Sequence, residues 1–195
     1  MRKTLLTLMA FATSVLIGVP AHNYDVPPPE CDFECDFLTG GGFIVRDSGA
    51  KANFGVGGGC KHGSPTWGHL QYIDHGTGLN VHWTSITAYR FLDQGAPTPG
   101  RQPTGARFIC GTARTNQFGD VDWVVLARDR GEPGSDDEFI IRVTQGVECR
   151  YTTEFDSDHT LGGSGSGGGN IQLHKPNPST TGSFGGSCPA LDAGC

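Results

Sequence analysis

The residues best placed to do chemistry are carboxylates. The stretch from Asp129 to Glu138 reads Asp129-Arg130-Gly131-Glu132-Pro133-Gly134-Ser135-Asp136-Asp137-Glu138. Calcium is a hard cation that takes about six to eight oxygen ligands, and a loop dense in carboxylates and free carbonyls can supply them. Asp129, Glu132, Asp136 and Asp137 are the candidate ligands, although their spacing is not that of an EF-hand. The competing reading is a solvated turn bent at Pro133-Gly134, its charge neutralised by Arg128 and Arg130. Histidine is the second candidate. A hairpin that brings His69 opposite His82 offers two ligands to a transition metal. The alternative is that both are polar side chains on an outer face, and the His-Glu-x-x-His zinc motif is absent.

Other catalytic patterns are weaker. Gly163-Ser164-Gly165-Ser166-Gly167 has the letters of a nucleophile elbow but lies in a glycine run with no helix after it. Gly40-Gly41-Gly42 precedes a strand, whereas a phosphate cradle wants a helix start. Trp67, Tyr72, Trp83, Tyr89 and Trp123 form a sugar-stacking platform if they are exposed, and core if they are not. Paired carboxylates for glycoside hydrolysis depend on the fold and cannot be read from spacing.

The seven cysteines are Cys31, Cys35, Cys60, Cys110, Cys149, Cys188 and Cys195. In an exported chain they read as structural disulfides, with at least one thiol left over because the count is odd. The expectation is at least two intrachain bonds. Cys188–Cys195 is the first local pair, Cys31–Cys35 the next, and a third lies among Cys60, Cys110 and Cys149. Cys31-x3-Cys35 is also a tolerable zinc spacing, but no second pair accompanies it.

Export itself follows from the first residues. Arg2 and Lys3 precede a mostly apolar run from Leu5 to Val19, and Val19-Pro20-Ala21 suits a signal peptidase. Residues 1–21 are therefore expected to be a signal peptide and His22 the mature N-terminus. The run is shorter than the roughly 18–20 residues that span a bilayer, so no membrane insertion is expected after cleavage. The destination is extracellular or periplasmic. Removing Arg2 and Lys3 from the 14 basic residues leaves 12 against 20 acidic ones, a formal charge of −8. That balance repels nucleic acid and anionic lipid.

The elements that must position these groups are strands. Residues 22–38 form a Pro- and Cys-rich acidic leader, 39–174 a β-rich zone, and 175–195 a Pro/Gly/Ser-rich tail expected to be flexible. Apolar residues fall on alternate positions over Gly42–Arg46, Ala52–Val56, His69–Asp74, Thr77–Tyr89, Ala106–Thr115, Val121–Arg128, Glu138–Thr144 and Asn170–His174. The glycine-rich stretch Gly162 to Gly169 reads as a long loop before the last strand. A two-residue turn at His75-Gly76 would pair Asp74 with Thr77, Tyr72 with Leu79, Leu70 with Val81 and His69 with His82. The fold class is all-β, an antiparallel sandwich or barrel of about eight to ten short strands.

Four segments carry a resemblance: Thr39-Gly40-Gly41-Gly42-Phe43-Ile44, Gly68-His69-Leu70-Gln71-Tyr72-Ile73-Asp74-His75-Gly76, Asp129-Arg130-Gly131-Glu132-Pro133-Gly134 and Gly169-Asn170-Ile171-Gln172-Leu173-His174. Over about residues 39–174 the chain resembles the post-COAP domain, a bacterial extracellular β-module found at the C-terminal end of larger secreted or surface proteins. The resemblance implies no catalytic residues. The expected function is a non-catalytic extracellular binding or structural module, associated with a surface, a protein or a polysaccharide. The alternative is a small secreted hydrolase using metal or carboxylates.

Overall fold

The computed structural model describes residues 33–96, 99–164, 167–193 and 195. The expected signal segment and cleavage site, and Cys31, lie outside the described residues. Ten antiparallel strands form one curled sheet: β1 Phe37–Val45, β2 Lys51–Gly59, β3 Trp67–Asp74, β4 Asn80–Gln94, β5 Gly105–Thr115, β6 Gly119–Asp129, β7 Glu138–Gln145, β8 Glu148–Thr152, β9 Gly169–His174 and β10 Gly185–Gly186. Their order is β8-β7-β6-β5-β4-β3-β2-β1-β9, with β10 added to the free part of β4. The curl makes a half-barrel. The all-β antiparallel expectation thus holds, with one sheet wrapped around a main core and a smaller second cluster of Ala88, Cys110, Val124, Cys188 and Ala190.

Alternation explains the middle of the sheet. Val121, Trp123, Val125 and Ala127 of β6 turn inward, as do Phe139, Ile141 and Val143 of β7. Val125 sits between Ile109 of β5 and Ile141 of β7 in the ladder. Fully burying side chains of this kind stabilises the fold by about 1.5–3 kcal/mol each. Phe54 stacks on Phe139 with ring centroids 3.9 Å apart, and Tyr72 packs beyond at 6.0 Å. Gly111 makes room for the indole of Trp123. A Cβ there would fall 2.7 Å from the ring and 2.2 Å from the Ser85 carbonyl.

The β3–β4 hairpin departs from the expected register. Tyr72 pairs with Val81 and Gln71 with His82. The turn has four residues, His75 to Gly78, because the Asp74 carboxylate accepts from the amides of Gly76 and Thr77 and Gly78 takes a left-handed φ of 72°. The shift is two residues, an even number, so the faces are unchanged.

The disulfides correct all three expected pairings. Cys35 bonds Cys60, Cys110 bonds Cys188, and Cys149 bonds Cys195. Neither Cys188–Cys195 nor Cys31–Cys35 forms, and no bond joins two of Cys60, Cys110 and Cys149. Sequence proximity loses to the sheet, which brings each pair to Cα separations of 5.8, 5.4 and 5.2 Å. The C-terminal stretch is correspondingly docked, not flexible. β10 pairs with Tyr89 and Ala88, and a short helix, α1 (Pro189–Asp192), follows. The Arg142 guanidinium donates to the carbonyls of Ala190, Leu191 and Ala193 while pairing with Glu154.

Candidate functional site

The acidic loop joins β6 to β7 and folds against β9. Asp137 is fully buried; its Oδ1 accepts the Arg130 amide at 2.8 Å and its Oδ2 the Ile171 amide at 2.7 Å. Asp129 repeats the arrangement, taking Gly131 on one oxygen and Leu173 on the other, both at 2.7 Å. The two carboxylates thus satisfy alternate amides along the β9 edge that no strand pairs, and they bridge the open side of the half-barrel. Burial pushes both carboxyls above their ordinary values, against the lowering effect of these hydrogen bonds; the charge of Glu132 adds to both rises, and that of Asp129 to the rise of Asp137.

The remaining candidates in the loop are Glu132 and Asp136. Glu132 accepts from Gln172 at 3.0 Å and Asn170 at 3.3 Å. Asp136 is exposed. Arg130 pairs with Glu138, and Arg128 with Asp93 and Glu138. The loop passes so close to β9 that a Cβ at Gly134 would meet the Asn170 Oδ1 at 2.1 Å. The structure therefore puts Asp129, Asp137 and Glu132 on one seam but engages each through amides.

His69 lies opposite Gly57 in the β2–β3 ladder, and His82 opposite Gln71, whose Oε1 is 2.6 Å from its Nδ1. The direct cross-strand pairing expected for the two histidines is not formed. Among the described residues no group of three or more His, Cys, Asp and Glu is arranged to hold a metal ion. Ser164 of the elbow-like run donates to Asp158. Tyr72, Tyr89 and Trp123 are fully buried, so the five aromatics do not make a platform. Trp67 is half-buried, with the Lys61 ammonium 4.6 Å from its ring.

Two polar networks escaped sequence reading. Arg107 is completely buried and pairs with Asp36, which also accepts the Tyr89 hydroxyl at 2.7 Å. Its guanidinium lies between Phe91 and Phe184, 4.6 and 5.3 Å from the ring centroids. Near the opposite end of the strands, Arg46 pairs with Asp74 and Asp156, and the Tyr151 hydroxyl joins Asp74 to Tyr72. Burial would raise the Asp74 carboxyl. Donation from Tyr151 and the amides of Gly76 and Thr77 outweighs it and holds the group below the ordinary range. Burial is also the main cause of the upward shifts of the Tyr72 and Tyr151 hydroxyls. Partners 28 to 110 residues apart leave no local signature, which is why Asp36 read as part of an acidic leader.

Among the described residues, one hollow lies at the rim beside the seam. It encloses about 630 Å³ between Arg101–Thr104, the start of the acidic loop and Gln172. A second hollow of about 360 Å³ adjoins it across Arg101, Gln102 and Pro103, reaching Lys175 and Pro176. Both are open troughs on the loops, and their walls carry amide, hydroxyl and charged side chains on a proline framework. No sequence signal marks this site, because its walls come from three separate connections. Comparison with known protein families, with curated proteins and with solved structures finds no significant match to this chain.

Proposed function

We propose that this chain is an exported, non-catalytic binding module that meets an extracellular partner at the rim of its half-barrel. The observation that carries the reading is the filled interior. Tyr72, Ile109, Trp123, Phe139 and Ile141 close the space the sheet encloses, which leaves the loop-edge troughs as the places for a ligand. A catalytic pocket is ordinarily a deep concavity with convergent, unengaged polar groups. Here the perturbed carboxylates Asp129 and Asp137 spend both oxygens on backbone amides. Three disulfides suit an oxidising compartment, in keeping with the tripartite leader. The test incubates mature protein with a panel of extracellular polysaccharides and scores retention and new reducing ends together. Retention without new reducing ends is the expected result. Reducing ends that appear in proportion to the protein would overturn the reading in favour of a hydrolase.

A further inference from the structure

Basic side chains in this molecule are almost all engaged. Among the described residues, seven arginines pair with carboxylates. Arg90 donates to the Gly186 carbonyl at 2.9 Å. Lys51 lies over Phe43, and Lys61 over Phe37 and Trp67. The two that remain are Arg101 and Lys175, whose side chains have no hydrogen bond, ion pair or ring contact. They are 74 positions apart in sequence, yet both line the same 360 Å³ hollow. The Lys175 amide donates to the Gln102 Oε1 at 3.0 Å, which ties the two walls together.

We infer that this hollow takes a carboxylated saccharide unit of an acidic extracellular polysaccharide, with its carboxylate held between Arg101 and Lys175. The inference rests on the binding reading above and names its ligand. A planar guanidinium fork matches a carboxylate in bidentate fashion, and an ammonium completes the charge as a point donor. Pro99, Pro103 and Pro176 offer flat apolar faces for the ring carbons, and Gln102 faces the ring hydroxyls.

Affinity electrophoresis of the intact mature protein tests this. The gels contain polygalacturonate, its fully methyl-esterified form, dextran or dextran sulfate. Retardation by polygalacturonate is expected, with loss on esterification. Arg101→Ala and Lys175→Ala are each expected to weaken binding by about tenfold, the effect of one charge-assisted contact. Both residues are exposed and unpartnered, so unchanged melting temperatures will certify the fold. Equal retardation by polygalacturonate and dextran, or binding untouched by both substitutions, overturns the carboxylate assignment and leaves the binding reading standing. Retardation by dextran sulfate alone, or by none of the four, also overturns it. Release of reducing ends from polygalacturonate instead overturns the binding reading.

Discussion

Replacing Asp137 separates a structural carboxylate from an ion-binding one. In Asp137→Ala the Ile171 amide, on a residue only 1% exposed, loses its acceptor with no water to replace it. A buried unsatisfied donor costs about 1–3 kcal/mol. The Arg130 amide also loses its partner, but at an exposed residue that water can reach. Against this, the variant is relieved of burying a carboxylate beside Asp129 and Glu132. The expected net loss is about 2 kcal/mol, or about 4–8 °C in melting temperature for a chain of this size. Asp137→Asn is expected to lose a comparable amount, because an amide has one acceptor where the site uses two. The pH dependence has a definite sign. A carboxyl raised in the folded state makes the native form bind more protons than the unfolded one above about pH 4, so its contribution to stability falls as pH rises through the raised value. The gap between wild type and Asp137→Ala should therefore narrow from about pH 4 toward neutrality. Thermal melts across that range, with hydrogen exchange at the Ile171 amide, give the answer. An Asn variant as stable as wild type, with that amide still protected, would refute the seam argument.

Removing the Cys110–Cys188 bond by Cys110→Ala with Cys188→Ala should cost about 4 kcal/mol, since it closes a loop of 78 residues; denaturant midpoints measure it. Six of the seven cysteines are paired, so the oxidised, denatured mature protein should yield one reactive thiol on Cys31, or a disulfide-linked dimer that Cys31→Ser abolishes. Two reactive thiols per chain would contradict the pairing. Burial, reinforced by Lys61, holds the His174 imidazole below its ordinary value, so the fold favours its neutral form. Stability is complete above about pH 6.5 and declines as pH falls from there toward the lowered value. His174→Gln should remove that decline from melting curves.

Strand β7 was legible because it buries one face and leaves the other wetter, and β6 keeps the same inward alternation, whereas β5 is buried on both faces where Cys110 and Val124 lie under the C-terminal segment. β8 was not. Glu148-Cys149-Arg150-Tyr151-Thr152 has no fully buried side chain and a register shift against β7, so its pattern is that of a loop. The tail misled for a related reason. Its Gly, Ser and Pro content cannot build a core, but it borrows one through Cys188, Ala190 and Phe184, which pack against residues of the sheet. The hairpin register failed at the turn, where a carboxylate cap on Asp74 lengthens the loop at no cost in hydrophobic agreement. For the acidic loop the residue types were right to single out. What the sequence hid is that β9 supplies the amides that Asp129 and Asp137 answer, 44 and 34 residues later respectively.

The disulfide map sets an order of events as the chain is made. Cys110 must wait 78 residues for Cys188, and Cys149 46 residues for Cys195. At about 5–20 residues per second those intervals are roughly 4–16 and 2–9 seconds. Cys35 meets Cys60 after only 25 residues, and at that moment Cys31 is the sole competing thiol. Vectorial synthesis therefore narrows the first choice to three sulfurs. A reduced chain refolding from denaturant faces all seven at once, with the clamp on its C-terminal segment as prone to error as the first bond. Native pairing should be recovered in higher yield from a nascent chain than from a diluted, fully reduced one.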